Sequence, residues 1–413
     1  MFHARSISLA IHLAVGSVLL AMVLRTWLVM GWIEPVTVAG NSMAPTLCGP
    51  HRTARCPRCQ AVVRVGVEFV PASGAVVCPY CGQKQIKIAA RPFQRGDRLW
   101  LDRTSLLWNT PRRWEVVVFR CPNDGGQLCV KRIAGLPGET VELVNGDVRV
   151  NGRVAVKSLA QQRALRQLVH REDRSQRYWV AEKTNRWQWR DQAWRHAAGD
   201  AQAWDWLRYA PANDQPITDD SVYNASLSRR LHVVRDLFLS ANLQVRGAGA
   251  LALEVQDGRQ LLHVSMDPTD GTIILSRGQE QLDKVVLAPD QRRRLGPGVL
   301  LELSTFDRQL LLALDGQVEL CYPLTETGPP PGAIRPFSVG VVGLRVSLSE
   351  LTLYRDIYYS AHAVGTRGPR TAAWRLGARE YFLVGDNPPI SLDSRTWGPV
   401  SARWLLGEPL FVR

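Results

Sequence analysis

A mainly β chain is predicted, led by one apolar helix, and three observations carry that prediction. Residues 7–33 are apolar almost without interruption, two Cys-x-x-Cys pairs stand eighteen residues apart at 56–59 and 78–81, and short β-branched runs broken by Asn-Gly and Asp-Gly turns fill most of the rest. The 413 residues leave room for two to three domains. Hydrophobic residues at 46% and charged residues at 21% exclude a mainly disordered or collagenous chain. An excess of 51 Lys and Arg over 37 Asp and Glu, a net +14, suits an anionic partner such as lipid headgroups or nucleic acid, and its sign does not choose between them.

Taken in order, Ile7 to Leu24 and on to Ile33 is long enough for one membrane-spanning helix of about 20 residues. A cleaved export signal is the competing reading, disfavoured because no small-residue cleavage site interrupts the run. The short basic start at Arg5 favours an N-terminus in the cytosol and the bulk of the chain outside it. Next comes Glu34 to Pro50, with Ser42 in a Gly-Asn-Ser-Met-Ala-Pro turn just beyond the helix. Such a serine alone is a turn residue; as a nucleophile it needs a base from elsewhere.

Cys56, Cys59, Cys78 and Cys81 have zinc-ribbon spacing, each pair offering two thiolates to a closed tetrahedral site. Two disulfides or a redox pair are the alternatives in an oxidising compartment. The metal would be structural, in a module spanning 51–87.

From Trp114 the chain reads as two hairpins, turning at Asn123-Asp124-Gly125-Gly126 and at Asn145-Gly146. Lys131 lies on the second strand of the first hairpin, pointing opposite to Val130 and Arg132. Turned inward it loses solvation, its pKa falls, and the neutral amine can take a proton from a serine; turned outward it is an ordinary edge lysine. Cys121 and Cys129 flank the turn, either as a disulfide or as two thiols, and Cys48 and Cys321 look unpaired.

Residues 156–220 are read as a helical insert rich in Trp and Arg, with Trp179, Trp187, Trp189, Trp194, Trp204 and Trp206 in a small satellite core and arginines such as Arg163, Arg166, Arg174 and Arg177 on a solvated face. Dense strands from 221 to 361, with turns at Asp257-Gly258, Asp270-Gly271 and Asp315-Gly316, imply an antiparallel β-sandwich. The last block, Tyr381 to Val400, holds a Gly385-Asp386-Asn387 turn, Ser391, and Asp393 with Arg395 as a bracing ion pair.

Together these blocks resemble bacterial signal peptidase I, the membrane-anchored Ser/Lys protease. The resemblance rests on Gly40-Asn41-Ser42-Met43-Ala44-Pro45-Thr46-Leu47, Gly96-Asp97-Arg98, Val130-Lys131-Arg132-Ile133-Ala134-Gly135-Leu136-Pro137-Gly138-Glu139, and Gly385-Asp386-Asn387 through Ser391-Leu392-Asp393-Ser394-Arg395. Pro388 stands where the family has Arg. The resemblance implies a mostly β catalytic domain assembled from 34–50, 88–155 and 376–413. Within it Ser42 is the nucleophile, Lys131 the general base and Ser391 the group orienting the lysine. Asp393, Arg395, Gly385, Asp386 and Asn387 are supports, and the Ser42 backbone N–H is one oxyanion donor.

It further implies no catalytic cofactor and signal peptides of exported preproteins as substrates, cut after small residues in Ala-x-Ala sites. The setting is the cytoplasmic membrane, with the catalytic domain outside and the export machinery nearby. No nucleic acid is expected. The sandwich, whose layout resembles concanavalin-A-like jelly rolls, has no ligand that the sequence names. Two other readings are a self-cleaving repressor, which lacks a reason for the apolar helix, and a non-enzymatic binding protein, which lacks a reason for intact Ser42, Lys131 and Ser391.

Overall fold

The computed structural model describes residues 2–26, 30–122, 125–172, 178–182, 186–198, 203–211, 215–258, 260–325, 335–361 and 373–411. Three β assemblies account for nearly all of the regular structure. The first is a seven-stranded antiparallel sheet in the order Ile33–Thr37, Arg98–Asp102, Leu405–Phe411, Val116–Arg120, Leu128–Gly135, Glu380–Val384, Val400–Ser401. It brings chain segments about 250 residues apart side by side, because Val384 pairs with Arg132. A four-stranded sheet, Arg153–Val154, Asp147–Val150, Thr140–Val144 and Trp374–Arg375, packs beside it. The turn at Asn145 and Gly146 has positive φ at both residues (54° and 98°), the geometry a tight hairpin needs. The other expected turn loses Asn123 and Asp124, which lie outside the described residues.

The second assembly is the ribbon, with strands His51–Arg55, Val62–Gly66 and Phe93–Gln94 and the short pair Ala75–Val76 and Ile86–Lys87. Its core is Val63, Val65, Val76, Ile86 and Ile88 with three of the four knuckle cysteines.

The third is a β-sandwich of an eight-stranded and a seven-stranded sheet. Alternation explains its core: in Leu237–Arg246 the inward residues Leu239, Ala241, Leu243 and Val245 are buried in one cluster with Leu251, Leu253 and Val255 of the facing sheet.

The helical insert expected over 156–220 is corrected. Among its described residues only Leu159–Leu165 is helical, capped by Ser158, and it is followed by five strands: Gln167–Arg171, Trp179–Ala181, Trp187–Arg190, Ala193–His196 and Asp205–Tyr209. These strands join the sandwich through Arg345–Arg355 and Phe337–Val342. Trp179, Trp187 and Trp194 are therefore in the main sandwich core, with no satellite core of their own. The hairpin between Trp187–Arg190 and Ala193–His196 turns on Asp191 and Gln192, both at positive φ (50° and 60°). An Asp-Gln turn carries no glycine signal, so the alternation on either side goes unread. Arg174 and Arg177 lie outside the described residues.

At the N-terminus Phe2–Leu24 is helical, with every described side chain from Ile11 to Leu24 exposed. Among the described residues no helix is long and apolar enough to cross a membrane.

Candidate active site

Ser42 sits in a loop whose two ends are tied together by one residue. Asp97 accepts from the Val38 amide (2.9 Å) and donates to the Cys48 carbonyl (2.8 Å) through its backbone, and its carboxylate accepts the Cys48 amide (2.7 Å). Gly96 is required beside it, since a Cβ there would lie 1.8 Å from the Val38 carbonyl oxygen. Met43 and Leu47 anchor the loop in a small core with Val38 and Leu99, which leaves Ser42 half-buried with its hydroxyl directed to the neighbouring strand.

On that strand, Leu128–Gly135, Lys131 is 4% exposed. Its Nζ donates to Ser42 Oγ at 2.6 Å and to the Val130 carbonyl at 3.2 Å. Burial holds its pKa below the ordinary lysine value, outweighing the opposite pull of the Asp393 carboxylate. Among the described residues no carboxylate bonds the amine, so its neutral form keeps its hydrogen bonds.

Arg132, the next residue, points the other way and is equally buried. It grips Asp386 with two hydrogen bonds (Nε to Oδ1 2.8 Å, Nη2 to Oδ2 2.5 Å), and Asp386 also accepts from Thr46 Oγ1 at 2.6 Å. One carboxylate thus joins the lysine strand, the Ser42 loop and the C-terminal block. Sequence reading missed Arg132, which had no visible partner until the fold brought Asp386 to it.

In the C-terminal block Asp393 and Arg395 form an ion pair at 2.8 Å with both side chains fully buried. Arg395 also donates to the carbonyls of Pro388 (2.9 Å) and Ser391 (3.2 Å), and Asp393 accepts from the Gly385 amide (3.0 Å). Pro388, the departure from the family pattern, is thereby held by its carbonyl. Asn387 donates its amide to the Ser42 carbonyl (2.9 Å) and its side chain to the Asn41 carbonyl (3.1 Å).

Ser391 differs from expectation. It is fully buried beside the site, yet its hydroxyl has no hydrogen-bond partner, and Lys131 bonds the Val130 carbonyl in place of it. Ser391 Oγ lies against Gly385, where a Cβ would come within 2.2 Å of it and 2.5 Å of the Ser42 carbonyl oxygen.

A groove of about 340 Å³ opens on Ser42 and Lys131, lined by Val36 to Gly40 on one side and Gln127 to Val130 on the other, with Leu99 and Val118. Val36 and Thr37 on one wall and Leu128 to Val130 on the other are β-strand, and apart from Gln127 the side chains of both walls are small or apolar.

The four ribbon thiols converge. The Sγ atoms of Cys56 and Cys81 are 3.5 Å apart, those of Cys59 and Cys78 3.6 Å, and all four lie within 4.8 Å of one another. Against burial, the backbone N–H groups of Cys59 and Arg58 bring the Cys56 thiol down to about 7, whereas burial pushes Cys78 up to about 11. A soft all-thiol set with one sulfur already favouring the thiolate fits a tetrahedral zinc ion and not a hard, oxygen-seeking cation. Such an ion would close the ribbon and has no part in the Ser42 site.

No disulfide joins Cys121 to Cys129. The register sets Cys129 opposite Phe119, while the Cys121 amide bonds the Gln127 carbonyl, so the two cysteines are diagonal neighbours two residues out of step. Diagonal positions lie about 7–8 Å apart, beyond ordinary disulfide geometry.

The site thus sets a serine hydroxyl, bonded to a buried amine, beside a groove. Residues 84–201 and 353–412 match the family model described as signal peptidase, peptidase S26. The chain is 37% identical over 65 residues to signal peptidase I of Leptolyngbya laminosa, covering 14% of this chain and 32% of that one. It is 34% identical over 61 residues to signal peptidase I V of Bacillus subtilis (strain 168), covering 15% and 35%. The chain thus spans about a third of the length of the curated relatives it matches. Over these segments it is similar to signal peptidase I. The family match holds Lys131, Ser391, Asp393 and Arg395 but not Ser42, which geometry alone brings to the lysine.

Among solved structures, the carbohydrate-binding module CBM66 from Bacillus subtilis aligns at 10% identity and a TM-score of 0.29, over 43% of this chain and 94% of that one. The galectin LEC-6 of Caenorhabditis elegans aligns at 12% identity and a TM-score of 0.22, over 30% and 82%.

Proposed function

We propose that the protein is a membrane-anchored serine endopeptidase that removes signal peptides from exported preproteins, with Ser42 as nucleophile and Lys131 as general base. The 2.6 Å contact between Lys131 Nζ and Ser42 Oγ is the observation that carries the proposal. A preprotein segment would enter the groove as an added strand between 36–40 and 127–131, its backbone bonding the walls and its alternate side chains meeting small apolar pockets. Such pockets select small residues on either side of one free position, an Ala-x-Ala pattern.

Ser42 Oγ then attacks the scissile carbonyl while Lys131 takes its proton. The oxyanion is met by the Ser42 backbone N–H, and Lys131 returns the proton to the departing amine as the C–N bond breaks. A water deprotonated by the same amine attacks the acyl ester and releases the carboxylate. Asp386, Asn387, Asp393, Arg395 and Gly385 hold the two reacting groups in register, and the role left for Ser391 is to orient the amine when Ser42 is acylated. Residues 7–33 supply the anchor that keeps the groove at the bilayer beside the export machinery, and zinc in the four-cysteine ribbon is structural.

Cleavage of a preprotein with an Ala-x-Ala site by full-length protein in liposomes tests the reading. Cleavage at that site, lost in Ser42→Ala and in Lys131→Ala, supports it. Absence of cleavage across several preproteins, or cleavage that survives Ser42→Ala, overturns it.

A further inference from the structure

Asn41, immediately before the nucleophile, is 6% exposed and held from both ends by residues of the inserted segments. Its Nδ2 donates to Glu68 Oε1 of the ribbon at 2.7 Å, and its Oδ1 accepts from the Tyr223 hydroxyl at 2.5 Å. Because an ionised carboxylate only accepts, this pairing fixes which way the amide faces. Tyr223 belongs to a short 3-10 turn, Val222–Asn224, that leads into the sandwich. The following residue, Asn224, forms a reciprocal amide pair with Asn387 (2.6 and 3.0 Å), and Asn387 holds the carbonyls of both Asn41 and Ser42. The serine turn is thus fixed by Glu68 and Tyr223, which the signal-peptidase resemblance does not supply, and by Asn387, which it does supply and which Asn224 braces.

The ribbon presses on the same turn. Val222 packs against the ribbon core, and a Cβ on Gly66 would meet Phe69, Tyr223 and Asn41 Nδ2 at 2.9, 3.0 and 3.3 Å. Tyr223 also shares a buried cluster with Ala44 and Cys48 of the serine loop.

We infer that Asn41, Tyr223, Asn224 and Glu68 are positioning residues for Ser42, so that the ribbon and the segment leading into the sandwich form part of the peptidase. The inference rests on the peptidase reading above. It implies that loosening the clamp moves Ser42 relative to Lys131 without altering the groove walls, since none of the four lines the groove.

The test uses full-length protein in liposomes with an Ala-x-Ala preprotein, comparing wild type with Tyr223→Phe, Asn41→Ala, Glu68→Ala and Glu68→Gln. Displacing a reacting atom by about 1 Å costs on the order of 10²-fold. Tyr223→Phe and Asn41→Ala are expected to lower kcat by roughly 10- to 100-fold with KM within about twofold of wild type. Glu68→Gln, whose amide oxygen still accepts, should recover most of what Glu68→Ala loses. Unchanged kcat in Tyr223→Phe and Asn41→Ala, or a fall matched by KM, overturns the inference.

Hydrogen exchange of residues 40–48 separates this from failure of the peptidase reading. Tyr223→Phe should speed exchange there and leave Leu128–Gly135 as in wild type, whether or not any preprotein is cut. Equal exchange in 40–48 would sink the clamp even in an active enzyme.

Discussion

Two buried lysines of this protein are in opposite states, although Lys131 is 4% exposed and Lys157 2%. Lys131 meets a hydroxyl and a carbonyl, and burial drives its pKa down. Lys157 meets Asp307 at 2.5 Å and Asp356 at 2.8 Å, lies 4.5 Å from the centre of the Trp114 ring, and is driven up because its carboxylate partners overcome the same burial. Desolvation is common to both; the contacting partners decide which one can act as a base. Lys157 instead joins the sandwich, through Asp307 and Asp356, to Trp114, whose carbonyl accepts from Arg132 of the site.

Exchanging each amine for an isosteric apolar chain should split the pair cleanly. Lys131→Met is expected to lower preprotein cleavage by roughly 10²- to 10⁴-fold, the span of a lost general base, while leaving the melting temperature unchanged or raised. Lys157→Met should do the reverse. Removing the cation from two buried carboxylates costs about 3–5 kcal/mol, read by denaturant unfolding at pH 7. If Lys157→Met is as stable as wild type, the contrast between the two lysines is wrong.

Titration sharpens the same comparison. With the neutral amine as the proposed base, kcat/KM should rise with pH through an inflection below the 10.5 of an ordinary lysine. An inflection at or above that value would show Lys131 to be solvated. For stability the sign is fixed as well: a depressed folded pKa means that the contribution of Lys131 is present above 10.5 and lost as pH falls through the lowered value.

The ribbon offers a smaller effect with a direct readout. Zinc content of the full-length protein should be about one per chain and should fall on Cys59→Ser or Cys78→Ser. Chelation should expose the four thiols to alkylation while leaving the Leu128–Gly135 strand protected from hydrogen exchange. Thiols that alkylate equally fast with and without chelator would argue against a metal.

How much of this was legible depended on where the partner of each residue lies in the chain. The cysteine pairs, the Asn145-Gly146 hairpin and the Asp393–Arg395 pair are local, and their spacing expressed them. Lys131 and Ser42 are 89 residues apart, and only the family resemblance joined them. Arg132 with Asp386, separated by 254 residues, and Tyr223 with Asn41, separated by 182, had no local signature. The Trp-rich strands were misread as helix because their turn, Asp191-Gln192, lacks the glycine that marks a hairpin.

The smallest effect lies around Lys157. Asp147, Asp236 and Asp307 bring their carboxylates within 4.8 Å of one another, and only Asp307 of the three is hydrogen-bonded to the ammonium. Burial and its acidic neighbours hold Asp236 well above the ordinary carboxylate range, and Asp147, which shares a hydrogen bond with it, is raised by burial too. Burial likewise lifts Asp307 to about 6. A raised carboxylate favours folding where it is protonated, so this contribution is present below the unfolded value of 3.8 and is lost as pH rises through the folded one. Asp236→Asn keeps the shape and the hydrogen bond of the protonated acid at every pH. It should therefore be more stable than wild type by about 1 kcal/mol near pH 8, and the gap should close as the pH is lowered towards 4. Denaturant midpoints measured across that range decide it. A gap that stays constant with pH would mean that Asp236 does not titrate there, and that Lys157 neutralises all of its acidic neighbours.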